Sequence, residues 1–143
     1  MTFLNYNKRT NQHSSFDWLC TDQYVITKYK QDPLCGFIPS NQFFYDLYDG
    51  METIQSAADS KKIPKLLPLL LLSGKDDPVG QYGQGVQKAI NFYQSLELYS
   101  VNYHIYDKNR HEILNEVNKK EVFQDITNWL DGQITCNNKK QSI

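Results

Sequence analysis

Residues 66–80 read LLPLLLLSGKDDPVG, and the reading of this stretch decides the fold. Residues 66–72, apolar and interrupted only by the ring of Pro68, are too few to span a bilayer and the right number for a buried strand. The run stops at Ser73-Gly74, and the charged turn Lys75-Asp76-Asp77-Pro78 follows at once. A continuous apolar run, rather than an alternating one, marks a strand buried on both faces, as in a parallel sheet. In such sheets ligands and reacting groups lie beyond the carboxyl ends of the strands. A second strand, residues 100–106, leads into its own polar loop, Asp107-Lys108-Asn109-Arg110-His111. A carboxylate and an imidazole are thus offered from two successive strand ends.

The stretch between them predicts a helix over about 83–96, with Val86, Ile90, Tyr93 and Leu96 on one face. A strand–helix–strand unit in one sheet makes the strands parallel, so both loops open on the same rim. In the second strand Val101, Tyr103 and Ile105 alternate with Asn102, His104 and Tyr106, which predicts an edge position with one wetter face. A last helix over about 120–130 gathers Val122, Phe123, Ile126, Trp129 and Leu130, and Gly132 is the expected stop. Residues 135–143 predict a polar, disordered tail.

Upstream, the charged connector 59–65 places a boundary near Lys62. Before it, Ser40 predicts the cap of a helix over about 41–58, with Phe44, Leu47, Tyr48, Met51 and Ile54 on one face and Gly50 weakening its middle. Thr21 predicts the cap of a helix over about 22–30, ended by Asp32-Pro33 because the residue before proline avoids the helical region. The polar residues 1–15 predict irregular structure. The expected organisation is an α/β fold: a helical region over 1–62, a β-α-β-α unit over 63–134, and the tail.

A chain of 143 residues with a formal net charge of −1 holds one ordinary domain and makes no electrostatic case for nucleic acid. Three cysteines, Cys20, Cys35 and Cys136, fit neither a disulfide framework nor a zinc site. With a polar amino terminus lacking an apolar signal core, they predict the reducing cytoplasm.

Asp77 and His111 are two thirds of a nucleophilic triad, in which the carboxylate fixes the imidazole tautomer and the imidazole moves the nucleophile's proton. Acid before histidine is the chain order of α/β-hydrolases. On residue types alone a second reading stands beside it: Asp77 caps its own turn or the following helix, and His111 is a surface loop residue. Other motifs fail. Gly80 to Gly85 has phosphate-loop spacing, but Val86-Gln87 replace the required Lys and Ser/Thr. His111-Glu112 opens like a zinc-protease helix, yet Asn115 stands at the second histidine. Cys35 lacks a strained elbow and a helix terminus behind it.

The segment LLLLSGKDDPVGQYGQGV, the following helix and strand, and YDKNRHEILNEVNKKEVFQDITNWL closely resemble the carboxyl-terminal part of α/β-hydrolases of the lysophospholipase and monoacylglycerol-lipase-like (serine aminopeptidase-like) group. FDWLCTDQYVITKYKQDPLCGF resembles that group's cap, the lid over the acyl pocket. By this resemblance, which runs from about Phe16 to Leu130, Asp77 matches the triad acid and His111 the triad base. Asp76 is the neighbouring carboxylate that is not chosen, while His104, inside a strand, and His13, in the loose amino terminus, read as structural or solvent-exposed. The resemblance implies cleavage of a carboxylic ester such as a lysophospholipid or monoacylglycerol, and no metal or cofactor.

The departure from that family is the nucleophile elbow. No two glycines here bracket a serine as Gly-x-Ser-x-Gly. The chain is therefore expected to be a carboxyl-terminal portion, inactive alone, that needs an amino-terminal hydrolase fragment. The alternative expectation is a non-catalytic binding module that self-associates through its uncovered edges.

Overall fold

The computed structural model describes residues 5–10, 13–54, 60 and 62–140, with side chains as far as residue 135. Its elements are α1 (Gln23–Gln31), α2 (Asn41–Ile54), β1 (Leu69–Gly74), α3 (Gln84–Ser95), β2 (Val101–Tyr106), a single 3-10 turn (Ile113–Asn115) and α4 (Lys119–Lys140).

Pro68 shapes the start of the sheet. It has no N–H to give to a ladder and holds its predecessor extended. Leu66 and Leu67 therefore stay out of β1, closing a turn in which the Leu67 amide donates to the Pro64 carbonyl at 3.0 Å. The strand begins one residue later, three residues after the run of apolar side chains does. β1 pairs in parallel with β2, from Leu69 opposite Val101 to Gly74 opposite Tyr106. Among the described residues the sheet has these two strands alone, so one edge of β1 is bare. That corrects the expectation of a strand buried on both faces: Leu69 to Leu72 are half-buried, and only Ser73 and Gly74 are fully covered.

A helix covers each face of this small sheet. On the Ile105 side lies α3, which buries Ile90 completely and half-buries Val86, Tyr93 and Leu96, as the periodicity predicts. On the other side α4 donates from Trp129 Nε1 to Asn102 Oδ1 at 3.0 Å and accepts the Tyr106 hydroxyl on Asp125 at 2.8 Å. One residue departs from the expected wet face of β2, on which Asn102 and His104 are exposed as expected while Val101 and Ile105 opposite are half-buried. Tyr106 is buried, because α4 lies over it and supplies Asp125 to its hydroxyl, and Tyr103 is half exposed.

In α4, Val122, Ile126 and Trp129 face inward, while Phe123 and Leu130 point outward. Gly132 does not stop the helix. Its φ is not positive, and α4 continues through it to Lys140, so residues 135–140 extend a helix where an irregular tail was expected.

Toward the amino terminus, Leu19, Cys20 and Ile26 form a buried cluster with Phe16, Trp18, Val25 and Tyr29 packed on it. The cap of α1 is Asp22, which accepts from the Tyr24 amide, and not Thr21, whose polar groups are used elsewhere. The helix ends at the extended Asp32, before Pro33. Ser40 caps α2 as expected, accepting from the Phe43 amide at 3.2 Å. α2 runs unbroken through Gly50; its expected stretch to residue 58 lies outside the described residues. No residue of α2 is buried, and Leu47, Tyr48, Met51 and Ile54 are all exposed.

Candidate active site

Beyond the carboxyl ends of the two strands the backbone stays zipped. The Lys75 amide donates to the Tyr106 carbonyl and the Asp76 amide to the Asn109 carbonyl, both at 2.9 Å. Only a glycine permits this approach. A Cβ on Gly74 would sit 2.2 Å from the Arg110 carbonyl oxygen and 2.3 Å from that of Asn109. The exposed pair Lys75–Asp107, at 2.7 Å, adds a contact between the same loops at the surface.

Asp77 follows one residue later. It is 6 % exposed, and its two oxygens have separate tasks. Oδ1 accepts from the Val79 amide at 2.8 Å and holds the turn. Oδ2 meets His111 Nδ1 at 3.2 Å. Gly80 makes room for that second oxygen, since a Cβ there would lie 3.2 Å from it. The α3 helix is entered through Gln81, Tyr82 and Gly83, all at positive φ, and Gly83 at its N-cap offers no side-chain cap. Both readings of Asp77 thus have a physical basis, one per oxygen: it caps its own turn and binds the histidine, but it does not cap α3.

The His111 side chain is 39 % exposed. Its ring packs against Trp18, with centroids 5.3 Å apart. Its backbone is held by the same segment: the His111 amide donates to the Trp18 carbonyl at 3.4 Å and the Glu112 amide to the Leu19 carbonyl at 2.7 Å. The hydrogen bond to Asp77 raises the imidazole pKa above its ordinary value; desolvation works against this, and the charges of Asp77 and Glu112 add to it. Since an ionised carboxylate can only accept, Nδ1 carries the proton toward Asp77. Nε2 is then left as the acceptor, with no hydrogen-bond partner among the described residues. The arrangement can take a proton from a group presented to Nε2 and hold the resulting charge against Asp77.

The other candidates fall elsewhere. Asp76 uses its amide to bind the His111 loop and has no part in the pair. His104 is exposed on β2 and stacks on Tyr106 at 4.2 Å. His13 contributes its backbone amide to Asp17 at 2.8 Å. Desolvation and the carboxylates of Asp32 and Glu112 push the Cys35 thiol pKa up, the reverse of what an attacking thiolate needs. A surface cleft of about 370 Å³ between the start of α3 and the end of β2 is lined by neither Asp77 nor His111. No local pattern gives Trp18 and Glu116 their role in shaping the histidine loop, because their partners lie about ninety residues away in the chain.

The family model described as serine aminopeptidase, S33, matches residues 2–118. The chain belongs to that family. Among solved structures, this S33-family chain is similar to a highly thermostable carboxyl esterase from Bacillus coagulans, solved in complex with glycerol. Identity is 29 % and the TM-score 0.78, over 88 % of this chain and 42 % of the esterase. It also shares its fold with a lipase in an open form, at 24 % identity and a TM-score of 0.74, over 90 % of this chain and 42 % of that one. Both neighbours have the α/β-hydrolase fold, and this chain is a part of that fold, spanning 42 % of their length. No curated protein matches it.

Proposed function

We propose that this chain carries the acid and the base of a serine ester hydrolase, with the nucleophile supplied by a segment that this sequence does not contain. The observation behind this reading is the Asp77–His111 contact of 3.2 Å, with the carboxylate buried and the imidazole open to solvent on its other side. In the completed site, His111 Nε2 takes the serine proton as the hydroxyl attacks the ester carbonyl. It returns that proton to the leaving alcohol, and a water repeats the sequence to release the acid. Asp77 holds the ring in the required tautomer and stabilises the imidazolium throughout.

Without a Gly-x-Ser-x-Gly elbow the covalent step is missing, so the chain alone is inactive. For the substrate we infer a monoacyl lipid ester, a lysophospholipid or monoacylglycerol. The exposed apolar face of α2 supports this, since it suits a lid over an acyl chain. The free thiols of Cys20 and Cys35 fit a cytoplasmic location.

Co-expression with an amino-terminal hydrolase fragment that carries a Gly-x-Ser-x-Gly elbow tests the reading, with p-nitrophenyl esters and monoacylglycerols as substrates. We expect hydrolysis only from the pair of polypeptides. Asp77→Asn should lower the rate by about 10⁴-fold and His111→Ala by at least as much. Equal rates in both variants and the parent would overturn it. The second reading, a non-catalytic module, draws on the bare edge of β1 and predicts self-association by sedimentation with no gain of activity on co-expression.

A further inference from the structure

Glu116 is a carboxylate with no exposure to solvent, and it is surrounded by donors rather than by a paired cation. Its Oε1 accepts from the Arg110 amide at 2.6 Å. Its Oε2 accepts from the Thr21 amide at 2.9 Å and also from the Thr21 hydroxyl. Burying a charge in this way is costly unless each lone pair is used, and here the hydrogen bonds join two segments distant in the chain. The Arg110 guanidinium ties the same segments again, donating from one nitrogen to the carbonyls of Asp17 at 2.5 Å and Cys20 at 3.0 Å. His111 is the next residue. Its own amide and that of Glu112 donate to Trp18 and Leu19, in the segment that Glu116 anchors.

We propose that Glu116 is a positioning residue for His111, its buried carboxylate locking the backbone at Arg110 against residues 17–21 and thereby setting the reach of the imidazole to Asp77. This rests on the hydrolase reading above. Glu116 touches neither the ring nor Asp77; it acts through the peptide that precedes the histidine and through Trp18, on which the ring lies. The charged groups that face the ring are Asp77 and, on its own loop, Glu112, while the segment 16–20 presents the uncharged Trp18. A loosened Arg110 peptide would weaken the Asp77 contact and with it the raised affinity of the imidazole for its proton.

The test is the titration of the His111 ring by NMR in the full isotopically labelled chain, with the signal assigned by loss in His111→Gln. Asp77→Asn sets the scale, and its lower midpoint marks the loss of the carboxylate's charge. Two variants of Glu116 separate geometry from charge. Glu116→Gln keeps the size but turns a donor toward one of the amides, and Glu116→Asp keeps the charge but cannot reach both segments. We expect each to move the midpoint at least half of the way to that of Asp77→Asn. A shift in the Gln variant alone would mean a field effect and overturn the proposal. So would a lowered melting temperature with an unmoved midpoint, the signature of a merely structural carboxylate. If either variant fails to fold, Thr21→Val removes the hydroxyl contact alone. It should give a smaller shift in the same direction, and no shift overturns the proposal. A midpoint unmoved by Asp77→Asn removes the acid–base pair itself, so the hydrolase reading falls first and this inference with it.

Discussion

Gly74→Ala puts the meeting of the two strand-end loops to a direct test. The added Cβ would stand 2.2 Å from the Arg110 carbonyl oxygen, about 0.8 Å inside the 3.0 Å floor for such a contact. Both obstacles are backbone atoms, so no side chain can swing away to relieve the clash. Relief requires the histidine loop to retreat from the end of β1 by about that amount. The same movement would stretch the 2.9 Å bonds from Lys75 and Asp76 to about 3.7 Å, beyond hydrogen-bonding reach. It would also draw His111 away from Asp77, where the contact starts at 3.2 Å. Overpacking of this kind costs about 1–3 kcal/mol, and a lost buried hydrogen bond adds about 1 kcal/mol. With both bonds lost we therefore expect a destabilisation of about 3–5 kcal/mol, a large share of the roughly 5–15 kcal/mol typical of a folded domain. Urea unfolding followed by circular dichroism measures it as a lowered midpoint at unchanged slope. The His111 titration midpoint should fall in the same variant. A loss below about 0.5 kcal/mol with an unmoved His111 midpoint would refute the reasoning, since surface substitutions do as little.

Three further expectations follow from single contacts. Gly132→Ala should stabilise the chain by up to about 1 kcal/mol, because the residue is helical with open space around it; a loss would mean that it adopts a left-handed stop. Tyr106→Phe should cost about 1–2 kcal/mol in the same urea experiment, since the hydroxyl at 2.8 Å from Asp125 is its link to α4. The folded-state pKa of His111 is raised, so its contribution to stability is full below the unfolded value of about 6.5 and is lost as pH rises through the folded value. The gap in urea midpoint between the parent and Asp77→Asn should then be wider at low pH than at high pH, and a constant gap would count against the pair.

The sequence by itself determined the order of elements, because that order is written in local terms. An apolar run, a charged turn and a 3.6-residue periodicity give strand, loop and helix, and Asp77 and His111 follow from their places just past two strand ends. Proline and capping rules also act locally, which is why Ser40 and Pro33 behave as read.

What only the tertiary structure decided depends on which surfaces meet. Gly132 reads as a stop yet lies within α4, since a glycine weakens a helix without ending it unless its φ turns positive. Tyr106 reads as the wet side of β2 yet is buried, because α4 lies on that face and supplies Asp125 for the hydroxyl. Thr21 reads as a helix cap, but Glu116 takes its polar groups from ninety-five residues away. That long-range capture holds the histidine loop in place. No local pattern could announce it, because a buried carboxylate and its donors acquire their relation only when the chain brings them together.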